Sequence, residues 1–176
     1  CNNTSSIKVA RSALHYFEEP SISGSNGSGT IFFSGCNLKC CYCQNKEISA
    51  NNFGINISIK RLSELMLDLQ SKKANNINLV TPTHFVPSII EAIKLARRNG
   101  LTIPIVYNTS GYESVDTIKL LDGDVDIYLT DFKYFDNKLG EDLSKVKNYF
   151  EVASTALDEM YKQVSKNKFS NNGLMT

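Results

Sequence analysis

The sequence predicts an α/β protein with a mainly parallel sheet, because short apolar strands alternate with amphipathic helices along most of its length. The predicted strands are 30–35, 77–81, 103–111 and 125–135, and the predicted helices are 57–74, 86–100, 114–123 and 148–165. The strand segments are apolar at consecutive positions, which is typical of strands covered on both faces. We therefore expect four β/α units joined by right-handed crossovers.

Each element has its own sequence signals. The first strand is β-branched and aromatic and lies between glycines, and Asn75 and Asn76 separate the first helix from the second strand. The helix at 86–100 is the clearest, with Pro87 near its start and Gly100 past its end. Gly123 ends the third helix, and the fourth places Phe150, Ala153 and Leu157 along one face.

Four unusual segments fall at the carboxyl ends of these strands: the cysteine-rich 34–45, TPTH at 81–84, NTSG at 108–111 and, along the fourth strand, DFKY at 131–134. Parallel sheets gather their chemistry at the carboxyl ends of the strands, where the connecting loops meet. The sequence therefore predicts one site built from these four segments.

Length, composition and charge set limits on the function. The 176 residues suit one domain, and 41% hydrophobic with 21% charged residues is ordinary for a globular protein. A net charge of +1 gives no field that would attract nucleic acid or an anionic membrane. No apolar run approaches the length of a membrane span. We expect neither nucleic acid nor membrane as a partner.

Residues 1–29 are rich in Ser, Gly and Asn and are predicted to form a truncated N-terminal arm, with the main domain at 30–176. The chain begins with Cys1 and no Met, which suits either an excised fragment or a lipoprotein with a lipidated N-terminal cysteine; the reducing compartment expected for the clustered cysteines favours the fragment. Glu18 and Glu19 in the arm are expected to be solvated or to end a helix. Clustered free thiols belong in a reducing compartment, so the expected location is cytoplasmic.

Four of the five cysteines lie within residues 36–43. An odd count cannot form a complete disulfide framework, and the adjacent Cys40 and Cys41 can hardly bond each other without strain. With Cys41 set aside as a small buried residue, the spacing is Cys36-x3-Cys40-x2-Cys43. Three thiolates can hold three irons of a cubane cluster and leave the fourth iron open. A zinc site that recruits Cys41 or Cys1 stays as the alternative.

CxxxCxxC with the aromatic Tyr42 before the last cysteine resembles the motif of radical S-adenosylmethionine (SAM) enzymes. The wider stretches at 18–49, 78–93, 104–113 and 131–139 resemble the subgroup similar to pyruvate formate-lyase activating enzymes. The resemblance implies a partial (β/α) barrel of the radical SAM type. A (β/α)6 barrel is expected in this superfamily, so residues 30–176 would supply the first four units and the last two strands would be missing.

The resemblance also implies the cofactors and their ligands. Cys36, Cys40 and Cys43 would bind a [4Fe–4S] cluster, and SAM would chelate the open iron. Six further residues are expected to line the SAM site: Tyr42, Thr81, Asn108, Thr109, Asp131 and Lys133. For Asp131 and Lys133, which are expected on one face of the fourth strand, a mutual surface ion pair is the alternative; Asn108 and Thr109 could instead be turn residues.

One departure from the superfamily pattern affects this assignment. Thr81, Pro82 and Thr83 stand where many radical SAM enzymes have Gly-Gly-Glu, so only the hydroxyl or carbonyl of Thr81 remains to contact the SAM amino group. His84 follows directly, and we expect it to be a packing or capping residue without a catalytic role.

The function implied is reductive cleavage of SAM to methionine and a 5′-deoxyadenosyl radical, which abstracts hydrogen from a substrate. The expected partners are SAM, an electron donor such as flavodoxin or ferredoxin, and a glycyl-radical enzyme that supplies a glycine Cα hydrogen. Two alternatives stay open. One is radical SAM chemistry on another peptide or a small molecule, and the other is a zinc-stabilised binding module without catalysis.

Overall fold

A computed structural model of the chain describes residues 6–176, in which a mixed six-stranded sheet is covered by helices. The strands are β1 (Lys8–His15), β2 (Ser28–Phe33), β3 (Ile55–Asn56), β4 (Ile77–Val80), β5 (Ile105–Thr109) and β6 (Ile127–Thr130). The helices are α1 (Pro20–Ser23), α2 (Lys46–Ser49), α3 (Ile59–Ser71), α4 (Val86–Arg98), α5 (Val115–Leu120), α6 (Asn137–Ser144) and α7 (Tyr149–Val164).

The strand order is β3-β1-β2-β4-β5-β6, and the described sheet is open, with β3 and β6 at its edges. The strands β2, β4, β5 and β6 are parallel, as the sequence predicts, while β1 and β3 are antiparallel to their neighbours. Four parallel strands joined through helices are an α/β arrangement consistent with a partial barrel. The predicted fold class is confirmed.

The main core lies between the sheet and the helices α3, α4, α5 and α7. Leu62 and Met66 of α3, and Ile89 and Ile93 of α4, are almost fully buried there. On the inner face of the sheet Ile22 of α1 packs with Val106 and Ile127. Burial of a large aliphatic side chain contributes about 1.5–3 kcal/mol each, so these layers hold the strand ends in fixed positions.

The N-terminal segment predicted as an arm contributes β1 to the sheet. Ile7 and Val9 are buried in the main core, and β1 pairs with β2 from Val9 to His15. Alternation of Ile7 and Val9 with polar residues is a strand signal that the composition of residues 1–29 obscured.

The fourth predicted strand is too long, and the helices α1, α2 and α6 were not predicted. Residues 125–135 were predicted to be extended, but β6 ends at Thr130, because the Asp131 amide makes the last bond to the neighbouring strand, at the Thr109 carbonyl (2.9 Å). The unpredicted α6 has an N-cap signal, since the Asp136 carboxylate accepts hydrogen bonds from the amides of Lys138 and Leu139.

Among residues 6–176, every helix is too short or too polar to cross a bilayer.

Candidate functional site

A cavity of about 660 Å³ opens at the carboxyl ends of the parallel strands. All nine residues predicted for the site line it: Cys36, Cys40, Tyr42, Cys43, Thr81, Asn108, Thr109, Asp131 and Lys133. They come from the last two residues of β5 and from the loops after β2, β4 and β6, because parallel strands end at the same edge of the sheet. The structure thus brings together residues as far apart in the sequence as 36 and 133.

The cysteine loop, residues 34–45, is anchored mainly by its backbone. The amide of Lys39 donates to the carbonyl of Ser144 (2.9 Å), and the amide of Cys41 donates to that of Leu143 (2.8 Å). Leu38 is 4% exposed and packs against Tyr134 and Tyr149. The C-terminal end of α6 therefore fixes the loop beside the cavity.

Each thiol that lines the cavity has a polar neighbour. The Leu38 amide donates to Cys36 Sγ (3.4 Å), and the Ser144 hydroxyl donates to Cys40 Sγ (2.9 Å). Cys43 Sγ lies 3.2 Å from the hydroxyl of Ser49. Burial raises the pKa of the Cys36 thiol, and nearby Cys40 and Cys43 raise it further. A cation at this wall of the cavity would favour the thiolate forms.

Cys41 differs from the other three. Its side chain is exposed and lies outside the cavity lining. The expectation that Cys41 is buried is wrong, because the Cys41 amide turns toward Leu143 and its side chain faces solvent. Cys1, considered as a zinc ligand and as a lipidation site, lies outside the described residues.

The donor set suits a polynuclear cluster better than a single ion. Cys36, Cys40 and Cys43 are free thiols on one cavity wall. A structural zinc site requires four converging ligands, whereas a cubane takes one thiolate at each of three irons. The residues present fit a [4Fe–4S] cluster.

Asp131 and Lys133 lie in the loop after β6 and not on the strand, which corrects the sequence expectation. Lys133 Nζ and Asp131 Oδ2 are 2.6 Å apart, so the alternative reading, a mutual ion pair, is also present. Burial lowers the pKa of Lys133, but the Asp131 carboxylate outweighs this effect and the pKa is raised. Lys133 is therefore a fixed cation at the cavity wall.

The tyrosine before the last cysteine is half-exposed. Tyr42 makes a short hydroxyl contact with Tyr134, whose hydroxyl in turn contacts that of Ser144 (2.6 Å). Since Ser144 also donates to Cys40, one hydroxyl chain connects the Tyr42 ring to a thiol that lines the cavity.

The loop after β4 carries an unusual backbone conformation. Thr81 has φ +57°, in the left-handed region that a β-branched residue rarely adopts. Its amide donates to the carbonyl of Asn108 (3.0 Å), which ties the loop to β5. Such conformations persist only where their surroundings hold them, and they cluster at binding sites.

Sequence reasoning missed Glu113. This carboxylate is 2% exposed, and its Oε1 accepts hydrogen bonds from the hydroxyls of Thr83 (2.7 Å) and Thr109 (2.5 Å). Burial raises the pKa of Glu113. The sequence shows only a single acidic residue before the helix cap Ser114, a pattern that is also common in solvent-exposed turns.

The N-terminal segment supplies charged residues to the same cavity: Arg11, His15, Glu18 and Glu19. The sequence favoured a solvated or helix-ending role for the two glutamates. Glu19 is exposed, as expected, but Glu18 is half-buried and burial raises its pKa. The cavity wall therefore includes residues from outside the four β/α units.

His84 packs as expected. Its Nε2 lies 2.7 Å from the carbonyl of Ser34, and its ring lies against Phe85 with centroids 4.2 Å apart. Burial lowers the pKa of His84, so the neutral imidazole is favoured at this position.

Comparison with known proteins agrees with this geometry. The Radical SAM superfamily profile matches residues 30–174, from β2 to the end of the parallel sheet and beyond. The chain belongs to the radical SAM superfamily. Members of this superfamily typically use a [4Fe–4S] cluster and SAM, which is the chemistry that the three-cysteine motif predicts.

A protein from the archaeon Methanocaldococcus jannaschii, described as uncharacterized, is 41% identical to this chain over 133 residues. The matched region is 71% of this chain and 38% of that protein. The chain thus spans well under half the length of this curated relative.

Proposed function

We propose that this chain forms the SAM-cleaving site of a radical SAM enzyme in which Cys36, Cys40 and Cys43 each bind one iron of a [4Fe–4S] cluster. The supporting observation is that these three thiols line one cavity with all six residues expected for SAM, whereas Cys41 does not. The fourth iron, without a protein ligand, is the position for the amino and carboxylate groups of SAM.

The cavity residues have distinct tasks in this proposal. Lys133 pairs with the SAM carboxylate, and Asp131 orients the ammonium group of Lys133. The Tyr42 ring lies beside the adenine, where an aromatic face can support a flat base. Thr81, Asn108 and Thr109 supply hydroxyl, amide and carbonyl groups to the polar part of SAM. Together they hold the sulfonium in one orientation and exclude water.

When bound, the reduced cluster supplies one electron that cleaves SAM to methionine and a 5′-deoxyadenosyl radical, which takes a hydrogen atom from the substrate. The electron comes from a donor such as flavodoxin or ferredoxin. The protein contributes binding, orientation and shielding, since the cofactor carries the difficult chemistry.

The proposed substrate is a glycine Cα–H in a partner glycyl-radical enzyme. Support for this assignment comes from the segments around the cysteines and strand ends, which resemble the activating-enzyme subgroup. Hydrogen abstraction from glycine converts 5′-deoxyadenosyl radical to 5′-deoxyadenosine and leaves the unpaired electron on the glycine.

The experiment is anaerobic reconstitution with iron and sulfide, reduction, and addition of SAM. We expect a brown protein that forms 5′-deoxyadenosine and methionine in equal amounts. A colourless protein that retains zinc and leaves SAM intact would overturn the proposal and favour a binding module.

A second assay addresses the substrate. A peptide carrying deuterium at the glycine Cα is incubated with the reduced protein and SAM, beside the same peptide with deuterated alanine. Deuterium in 5′-deoxyadenosine from the glycine peptide alone supports the proposed substrate. SAM cleavage without transfer from either peptide contradicts glycine as the substrate but leaves the radical SAM assignment standing.

A further inference from the structure

A buried carboxyl group joins the loops after β4 and β5 behind the cavity wall. Glu113, in the loop after β5, accepts hydrogen bonds at Oε1 from Thr83 in the loop after β4 and from Thr109, the last residue of β5. Thr109 Oγ1 also accepts a hydrogen bond from the amide of Gly111 (3.3 Å). Thr109 lines the cavity, but Glu113 and Thr83 do not, so the carboxyl group acts on the cavity only through its neighbours.

Glu113 holds the segment that contains Thr81, whose backbone conformation is strained. Thr81 is two residues before Thr83 and adopts φ +57° with a branched Cβ. A threonine leaves this conformation unless contacts on both sides hold it. The Asn108 carbonyl fixes the amide of Thr81, and Glu113 fixes Thr83 at the other end of the turn.

We propose that Glu113 is a positioning residue that keeps the β4 and β5 loops in the shape that binds SAM. This inference rests on the proposed function. Thr83 stands where the resemblance leads one to expect a glutamate, and here a carboxyl group reaches Thr83 from the next β/α loop instead. Glu113 therefore stabilises Thr81 and Thr109 at the cavity wall without touching the ligand.

Burial favours the neutral carboxyl group of Glu113, whereas the hydrogen bonds that it accepts from Thr109 and Thr83 favour the charged form; burial outweighs them and the pKa is raised. Oε1 accepts both of these hydroxyl hydrogen bonds. The titratable groups facing it are the phenols of Tyr107 and Tyr128, which are both neutral at physiological pH. A glutamine amide has the same shape and retains the Oε1 acceptor, so Glu113→Gln is the conservative variant.

The test measures SAM binding to the reconstituted, cluster-loaded protein by anaerobic calorimetry, together with its thermal midpoint. Glu113→Ala removes the acceptor, Thr83→Val removes one donor, and Glu113→Gln keeps the geometry. Asn76→Ala is the matched control, because Asn76 is equally buried and makes two side-chain hydrogen bonds at the opposite end of β4, to Ser28 and Ile22.

We expect Glu113→Ala to weaken SAM binding about tenfold and Thr83→Val several-fold, the size expected for loss of a buried hydrogen bond. The double variant should bind SAM no more weakly than Glu113→Ala alone, because Glu113→Ala already removes the hydrogen bond that Thr83→Val breaks. Glu113→Gln should bind within about twofold of wild type. Asn76→Ala should lower the thermal midpoint and leave SAM affinity unchanged.

Three outcomes would overturn the inference alone: wild-type affinity in Glu113→Ala and Thr83→Val, equal losses in Glu113→Gln and Glu113→Ala, or an equal loss in Asn76→Ala. A wild-type protein that loads a cluster and binds no SAM would instead overturn the proposed function. The two failures are therefore distinguishable.

Discussion

The cysteine loop and the wall formed by the β4 and β5 loops border the same cavity, yet they are built differently. The cysteine loop is held by backbone hydrogen bonds to α6, and its thiols are only partly buried. The wall is held by side chains around the buried carboxyl group of Glu113. The proposed cluster ligands lie in the first region, whereas the second region positions the proposed SAM contacts Thr81 and Thr109. The two regions should therefore respond differently to substitution.

The largest expected effect is in the cysteine loop. Replacing Cys36, Cys40 or Cys43 with Ala should abolish cluster loading and SAM cleavage, because a cubane held by two thiolates is poorly retained. Iron and sulfide content after reconstitution measures the loss. Cys41→Ala is the matched control and should load a full cluster. An indispensable Cys41 with a dispensable Cys40 would contradict the ligand assignment.

The next effect is at Lys133. Lys133→Ala should weaken SAM binding at least tenfold, because a charge-assisted hydrogen bond contributes about 1.5–3 kcal/mol. Anaerobic calorimetry on the loaded protein checks this. Lys138 forms an exposed ion pair with Asp142 (2.8 Å), so Lys138→Ala should leave SAM affinity unchanged. Equal affinities for the two variants would remove Lys133 from the SAM site.

A smaller effect is expected from replacing glycines. Two glycines with similar φ allow the cost of backbone conformation to be separated from the cost of close packing. Gly111 and Gly123 both have left-handed φ, +80° and +78°. A Cβ on Gly111 would lie 3.0 Å from the Asp131 carbonyl, whereas one on Gly123 meets nothing within 4 Å. Gly123→Ala should cost about 1 kcal/mol of unfolding free energy, and Gly111→Ala should cost more. Denaturant titration measures both, and equal costs would contradict the close approach.

The smallest effect is the pH dependence of Glu113. Burial raises the pKa of Glu113 in the folded protein, so the folded state holds this proton more tightly than the unfolded chain does. Its contribution is complete below the unfolded pKa and is lost as pH rises through the folded pKa. The unfolding free energy of Glu113→Gln should therefore increase relative to that of the wild type as pH increases. Parallel curves for the two proteins would show that Glu113 does not titrate as a buried acid.

The sequence predicted the residues that line the cavity better than the residues that hold them from behind. Cys36, Cys40 and Cys43 are recognisable because their spacing is local, and the strand ends carry Thr81, Asn108 and Asp131 to one edge of any parallel sheet. Glu113 could not be found in this way, since its partners Thr83 and Thr109 depend on how two loops pack. The end of β6 was missed for a similar reason: residues 131–135 are apolar enough for a strand, but they leave the sheet.

The N-terminal segment shows the same limit. Its composition predicted an arm, whereas β1 pairs along β2 and carries Arg11 and His15 to the cavity. Strand pairing is a long-range interaction, and a segment rich in Ser and Gly gives little local evidence of it.

Electron paramagnetic resonance of the reduced, reconstituted protein before and after SAM addition tests the vacant iron position most directly. If three protein thiolates hold the cluster, the fourth iron is free to bind SAM, so we expect a [4Fe–4S]⁺ signal that shifts when SAM is added. A signal that SAM leaves unchanged, in a protein with full iron and sulfide content, would show that the fourth iron is closed to SAM and would contradict the account.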